Sequence, residues 1–143
     1  MWHVKKFEAL DTHTLEEIYR LRVAVFVVEQ ECPYQEIDGK DAHCTHIYKT
    51  DQTGIIAYLR IVHEDPVSIG RVIVRQDRRK EGLGQELMHQ AMDFVHKNHQ
   101  GERIYLHGQA HLEKFYQSFG FKTTSDVHLE DGIPHVDMEY KEN

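Results

Sequence analysis

Several features that mark non-globular or exported chains are scarce in this sequence. Its 143 residues include only 3 Pro, 9 Gly and 2 Cys, too few for a collagenous, low-complexity or disulfide-stapled protein. Cys32 and Cys44 make neither a Cys-x-x-Cys pair nor a disulfide framework, which fits a reducing compartment. No apolar run approaches the roughly 20 residues of a membrane-spanning helix, and Met1-Trp2-His3-Val4-Lys5-Lys6 lacks the apolar segment of a signal peptide. The expected setting is therefore cytoplasmic, with the whole chain as the mature protein. Positive charge is also short: 17 Lys and Arg face 24 Asp and Glu, for a net charge of −7. Such a field repels nucleic acid and anionic membranes, so neither is an expected partner. An anionic ligand must be held by a local arrangement.

What is present suits one soluble domain spanning residues 1–143, with 40% hydrophobic and 29% charged residues. The 12 His are the compositional oddity. Thr14-Leu15-Glu16-Glu17 reads as a capping box opening a helix from about Thr14 to Val25. Residues 32–46 are too rich in turn formers for a regular element and read as a long loop. His46 to Thr50 and Ile55 to Val62 flank a short turn, as two antiparallel strands would. Ser68 to Val74 ends in consecutive β-branched residues, the pattern of a central strand buried on both faces. Leu83, Leu87, Ala91, Phe94 and Val95 share one helical face, giving a helix from about Gly82 to His99. A strand from Ile104 to His107, a helix from Ala110 to Phe119 ending at Gly120, and strands at Phe121 to Thr124 and His135 to Tyr140 follow. This order predicts a mixed α/β fold.

The chemistry concentrates where Val72-Ile73-Val74 runs through a basic loop into Arg79-Lys80-Glu81-Gly82-Leu83-Gly84. Glycines at a helix entrance let a ligand approach the backbone, and the first-turn amides point their positive ends outward. That is an anion site suited to a phosphate or pyrophosphate. Arg75, Arg78, Arg79 and Lys80 strengthen the expectation in an acidic chain. A Walker A loop is excluded by sequence, and a dinucleotide fingerprint fails because Leu87 stands where its third glycine belongs.

Arg79-x-x-Gly82-x-Gly84 resembles the acetyl-CoA signature of the GNAT superfamily of N-acetyltransferases, and Tyr116-Gln117-Ser118-Phe119-Gly120-Phe121 is similar to its second signature, Tyr-x-x-x-Gly-Phe. Val25 to Tyr34, Gly108 to Leu112 and Glu130 to His135 narrow the resemblance to ElaA-like GNAT proteins. The resemblance implies a mixed sheet splayed between two central strands and flanked by helices. Acetyl-CoA would be the co-substrate, its pantetheine arm pairing with Val72, Ile73 and Val74 and its pyrophosphate on the amides of Arg79, Lys80, Glu81, Gly82, Leu83 and Gly84. Tyr116 would lie near the thioester sulfur, and Gln109 stands where many relatives have an Asn that bonds the cofactor arm.

Acyl transfer to an amine needs a positioned neutral nucleophile, donors for the developing oxyanion and a proton for the departing thiolate. Tyr116 has the chemistry to donate that proton. The strand Ser68 to Val74 carries no carboxylate to act as base, so Glu29, His111 and His107 are the candidates by type, with a water chain as the alternative. Cys32 and Cys44 sit in no nucleophile motif. Asp41 to His46, and His96 with His99, offer metal-ligating types but no third ligand at a recognisable spacing, so no metal is expected. Glu130-Asp131-Gly132-Ile133-Pro134-His135 reads either as a turn tied into the fold or as an acidic lip that binds an amine substrate. The expected activity is direct acetyl transfer to a small primary amine, by a monomer or homodimer. The runner-up is an acyl-CoA-binding sensor or partner module, and a third reading is a histidine-rich metal protein.

Overall fold

A computed structural model describes residues 1–141. The eight strands are β1 (Trp2–Lys6), β2 (Cys44–Asp51), β3 (Gly54–Val62), β4 (Val67–Val74), β5 (Arg103–Gln109), β6 (Lys122–Thr123), β7 (His128–Glu130) and β8 (Ile133–Lys141). They form one open mixed sheet in the order β1-β2-β3-β4-β5-β8-β6, with β7 paired to β8. The helices are α1 (Thr12–Val23), α2 (Leu83–Asn98) and α3 (Glu113–Gln117).

Alternation along the central strands sends neighbouring residues to opposite faces. Ile47 and Leu59 join the main core beneath α2, where Leu87, Met88, Ala91 and Val95 are buried. Tyr48 and Tyr58, one residue away in each strand, instead pack with Ile18 of α1 and Ile73 of β4. The sheet is thus covered on both sides.

Several boundaries differ from the sequence expectation. α1 begins at Thr12, because Asp11 caps it by accepting a hydrogen bond from the Thr14 amide at 2.7 Å. The helix then loosens into one π-helical stretch, Ala24–Glu29. Only Glu113–Gln117 of the last expected helix is α-helical, and Ala110–Leu112 forms a 3-10 turn. Strands β1 and β7 lie outside the expected set. The β7–β8 hairpin turns on Asp131 and Gly132, both at positive φ (51° and 80°), the backbone of a two-residue type I′ turn.

The expectation for β4 needs a larger correction. It is central, lying between β3 and β5, but Ser68, Gly70, Arg71, Val72 and Val74 are only partly buried. Its parallel pairing with β5 covers Val67↔Ile104, Ser68↔Tyr105 and Ile69↔Leu106 and goes no further. Beyond Ile69 the two strands diverge, and one face of β4 opens into a cavity.

The long loop before β2 is held by a buried ionic lattice. Arg22, fully buried, meets Glu36 at 3.1 Å and Asp41 at 2.7 Å. Arg60 meets Asp38 at 2.6 Å and Asp41 at 3.1 Å, while Arg71 meets Glu36 at 2.5 Å. Burial pushes the Asp41 carboxyl up, but the hydrogen bond and charge of Arg22 outweigh it and leave it below its ordinary value. A carboxylate with a depressed folded-state value stabilises above its unfolded value of about 3.9, and that contribution fades as pH falls further. We expect Arg22→Met to cost about 3 kcal/mol, because Glu36 and Asp41 lose a buried partner while Arg60 and Arg71 still reach them. Urea unfolding should show a lower midpoint with an unchanged slope. A loss under about 1 kcal/mol would mean that Arg60 and Arg71 hold the loop without Arg22.

Candidate functional site

The cavity between the diverging strands has a volume of about 660 Å³. Its walls bring together Val72, Ile73 and Val74 of β4, Arg79 and Gly84 of the loop and α2, Gln109 at the end of β5 and His111 just beyond it, Tyr116 of α3, and Glu29 of the π-helical stretch. Residues far apart in the chain, singled out for acyl transfer, thus share one space. Lys80, Glu81, Gly82 and Leu83 continue the loop into α2 rather than lining the cavity.

The helix entrance is built by conformation more than by charge. Lys80 and Gly82 adopt positive φ (69° and 80°), turning the chain sharply into α2, and Gly82 is the helix cap. The first internal α2 bond runs from the Glu86 amide to the Gly82 carbonyl, so the amides immediately before Glu86 are the orphan donors of the first turn. They form an electropositive patch at the start of a 16-residue helix.

The guanidinium groups nearby are largely engaged. Arg75 pairs with Asp77 at 2.6 Å, and Arg78 pairs with Asp51 and with Glu81. Arg79 grips Glu29 through two bonds of 2.7 and 3.0 Å and donates from Nε to the Val74 carbonyl at 3.0 Å. The surplus of basic charge expected from the sequence is therefore mostly neutralised in space. Lys80 is exposed.

Tyr116 is positioned by a missing side chain. A Cβ on Gly108 would lie 3.1 Å from Tyr116 Cδ2 and Cε2, so any side chain there would push the ring back from β5 by a few tenths of an ångström. The ring also meets Phe115 edge-on, with centroids 5.2 Å apart. Burial pushes its phenol up to about 12, so it remains a proton donor at any physiological pH. Gln109 is half-buried at the end of β5, directly opposite His135 of β8. His111 is exposed in its 3-10 turn, and the N-cap of α3 is Leu112, so His111 is not a helix cap.

At the end of the cavity formed by β5 and the β7–β8 hairpin, the acidic turn lines the wall. The Cys32 thiol donates to the Asp131 carbonyl at 3.3 Å and ties the hairpin tip to the long loop. Glu130, Asp131, His107 and His135 line this end. His107 sits between Asp137 (2.7 Å) and Glu130 (3.1 Å), a setting that its place in the sequence gave no sign of. Two of the histidines weighed earlier for a metal have other partners. His46 is buried, bonded to Tyr58 Oη at 2.7 Å and the Asp41 carbonyl at 3.0 Å, and His99 bonds His63 and Glu102.

Among the described residues no helix is long and apolar enough to cross a membrane. Residues 9–142 match the acetyltransferase (GNAT) domain family. ElaA of Escherichia coli K12 is 43% identical over 143 residues, which covers 96% of this chain and 94% of that protein. A Schizosaccharomyces pombe protein is 44% identical over 138 residues, 94% of this chain and 92% of its own. The crystal structure of E. coli ElaA superposes with a TM-score of 0.95 at 42% identity, covering 99% of both chains. That of an acyl-CoA N-acyltransferase from Pseudomonas aeruginosa gives 0.93 at 38% identity, covering 98% of this chain and 99% of that one. With its open eight-stranded sheet, central divergence and both signature stretches in the cavity region, the chain belongs to the GNAT acetyltransferase family, in its ElaA-like group.

Proposed function

We propose that this protein transfers an acetyl group from acetyl-CoA to a small primary amine by direct attack. The observation that carries the reading is the divergence of β4 from β5 beyond Ile69↔Leu106, with α2 amides at one end and a buried phenol within the same cavity. An extended pantetheine arm has the length and amide chemistry to pair with the open edge of β4 at Val72 to Val74. The pyrophosphate then meets the amides at the α2 entrance, including Leu83 and Gly84, and competes with Glu29 for Arg79. Gln109 is the side chain at hand for the cofactor arm. The acceptor approaches from the end carrying Glu130 and Asp131, whose charge favours a cation.

The transfer itself follows from these placements. The neutral amine attacks the thioester carbonyl, backbone amides of the splay stabilise the oxyanion, and Tyr116 protonates the departing thiolate. Of the three candidate proton acceptors, Glu29 is held bidentately by Arg79 and His107 is engaged by Asp137 and Glu130, whereas His111 is exposed at the cavity wall. We assign the role to His111. His111→Gln should lower kcat several-fold with CoA affinity unchanged, and an undiminished kcat would return the role to Glu29, His107 or water.

A panel of primary amines, assayed for release of free CoA thiol, tests the activity directly. Turnover with at least one small cationic amine is expected. Tight CoA binding with no turnover across polyamines, amino sugars, amino acids and peptide N-termini would favour the alternative, an acyl-CoA-binding sensor or partner module.

A further inference from the structure

The acceptor end of the cavity carries a second constellation, built by β5 and the β7–β8 hairpin. His107, His128 and Glu130 each place a metal-ligating atom within 4.8 Å of the other two. His107 Nε2 lies 3.1 Å and His128 Nδ1 3.5 Å from the same oxygen, Glu130 Oε1. Nitrogen and oxygen donors bonded at about 2.0–2.1 Å to a tetrahedral zinc ion stand about 3.4 Å from one another. Both separations fit that spacing.

The opposite edges of the two rings share another carboxylate. His107 Nδ1 is 2.7 Å and His128 Nε2 3.2 Å from Asp137 Oδ1. Asp137 is fixed in turn, accepting from the Tyr105 hydroxyl at 2.8 Å and donating its backbone N–H to Ser125 Oγ at 2.9 Å. A metal-ligating histidine typically gives its second ring N–H to a carboxylate, which sets the tautomer and aims the free lone pair. Here one carboxylate does this for two histidines.

Hydrogen-bond capacity sharpens the point. A neutral imidazole has one N–H and one lone pair, yet each ring has carboxylate oxygens at both nitrogens. If both N–H groups go to Asp137, two imidazole lone pairs and the Glu130 carboxylate converge on one spot with no positive charge between them. A divalent cation there satisfies all three. The competing solution is a pair of imidazolium rings with centroids 5.1 Å apart.

We propose that His107, His128 and Glu130 form a binding site for a divalent transition metal of the zinc type, oriented by Asp137. Two imidazoles and one carboxylate favour zinc, nickel or copper over magnesium or calcium, which take all-oxygen sets. His107 and Glu130 also line the cavity, so the ion sits in its wall. Linear spacing conceals the set, since only His128 and Glu130 are close in sequence and the third ligand comes from β5 across the sheet.

The test uses the untagged full chain, stripped with a chelator and titrated with ZnCl₂ by calorimetry, with CoCl₂ followed by visible absorption as a second readout. One Zn²⁺ per chain is expected, along with the visible bands of a low-coordinate cobalt site and no binding of MgCl₂. His128→Gln and Glu130→Gln, both on the short β7 strand, should each weaken zinc at least about tenfold. Asp137→Asn touches no ion and should still weaken it about 10- to 100-fold. His89→Gln, on the exposed face of α2, should leave it unchanged. Absence of saturable zinc binding would overturn the site and leave the imidazolium pair. Equal affinity in wild type, His128→Gln and Glu130→Gln would overturn it in favour of scattered surface histidines. Because the ion itself is measured, the outcome does not depend on whether the chain turns over acetyl-CoA.

Discussion

Replacing Tyr116 by Phe should lower kcat by at least about tenfold while CoA affinity and folding change little. The ring fills the space left by Gly108 and meets Phe115 edge-on, and Phe keeps both contacts. Only the hydroxyl is removed. A general acid contributes about 10²- to 10⁴-fold, and partial replacement by water sets the lower bound. The phenol is raised to about 12 by burial, well above a free thiol near 8.5. Proton transfer to a solvated thiolate would then be uphill. A thiolate expelled into the same splay loses its hydration as well, which raises its basicity and narrows the gap. The pH profile follows from the sign of the shift. Neutral tyrosine is the donor form and persists to about pH 12, so the wild-type rate should show no tyrosine-dependent fall between pH 7 and 10. An ordinary phenol near 10 would place that fall inside the assay range. Full kcat in Tyr116→Phe, with chemistry shown to be rate-limiting, would reduce the tyrosine to packing.

How much of this was legible in the sequence depended on how local each signal was. The helix α2 was readable to within a residue at each end because Leu83, Leu87, Ala91 and Val95 repeat on one face and glycine opens it. The β2–β3 hairpin was readable from its short turn. β1 and β7 were not, since a strand of five residues at one edge and one of three residues carry too little periodicity to distinguish from loop. The burial of β4 was misjudged for a related reason. Its β-branched residues are those of a strand covered on both faces, and nothing local records that β5 leaves it after Ile69.

Charge was the least legible property of the site. Arg75, Arg78, Arg79 and Lys80 look like a basic cluster along the chain. In space Asp77, Asp51, Glu81 and Glu29 come to three of them, from positions up to fifty residues away. The same lack of distance information hid the lattice around Arg22, whose partners Glu36 and Asp41 lie in a stretch that reads only as a polar loop. Residues of the two short signatures, Arg79, Gly84 and Tyr116, do come together in one cavity. Electrostatic partnerships between distant segments were not legible.

That neutralisation leaves the α2 amides as the anion-holding element of the proposed cofactor site, and Gly84→Glu tests them. A Cβ at Gly84 would stand 3.5 Å from Phe115 Cζ and 3.9 Å from Val74 Cγ2, ordinary contact distances, and the residue has a helical backbone. The variant should therefore fold. Its new carboxylate lies in the first turn of α2, where the helix dipole favours negative charge by about 0.3–1 kcal/mol, so thermal stability should hold or rise slightly. CoA affinity should move the other way, since the side chain fills space in the cavity wall and its charge opposes the pyrophosphate at the same amides. A loss of at least about 100-fold is expected, equivalent to about 2.8 kcal/mol. Gly84→Ala separates bulk from charge and should cost much less. Calorimetry with CoA and a melting curve on each variant give both quantities. Opposite movements of stability and affinity would mark an anion site at the helix entrance, whereas a folded Gly84→Glu with wild-type CoA affinity would remove this entrance from the cofactor's path.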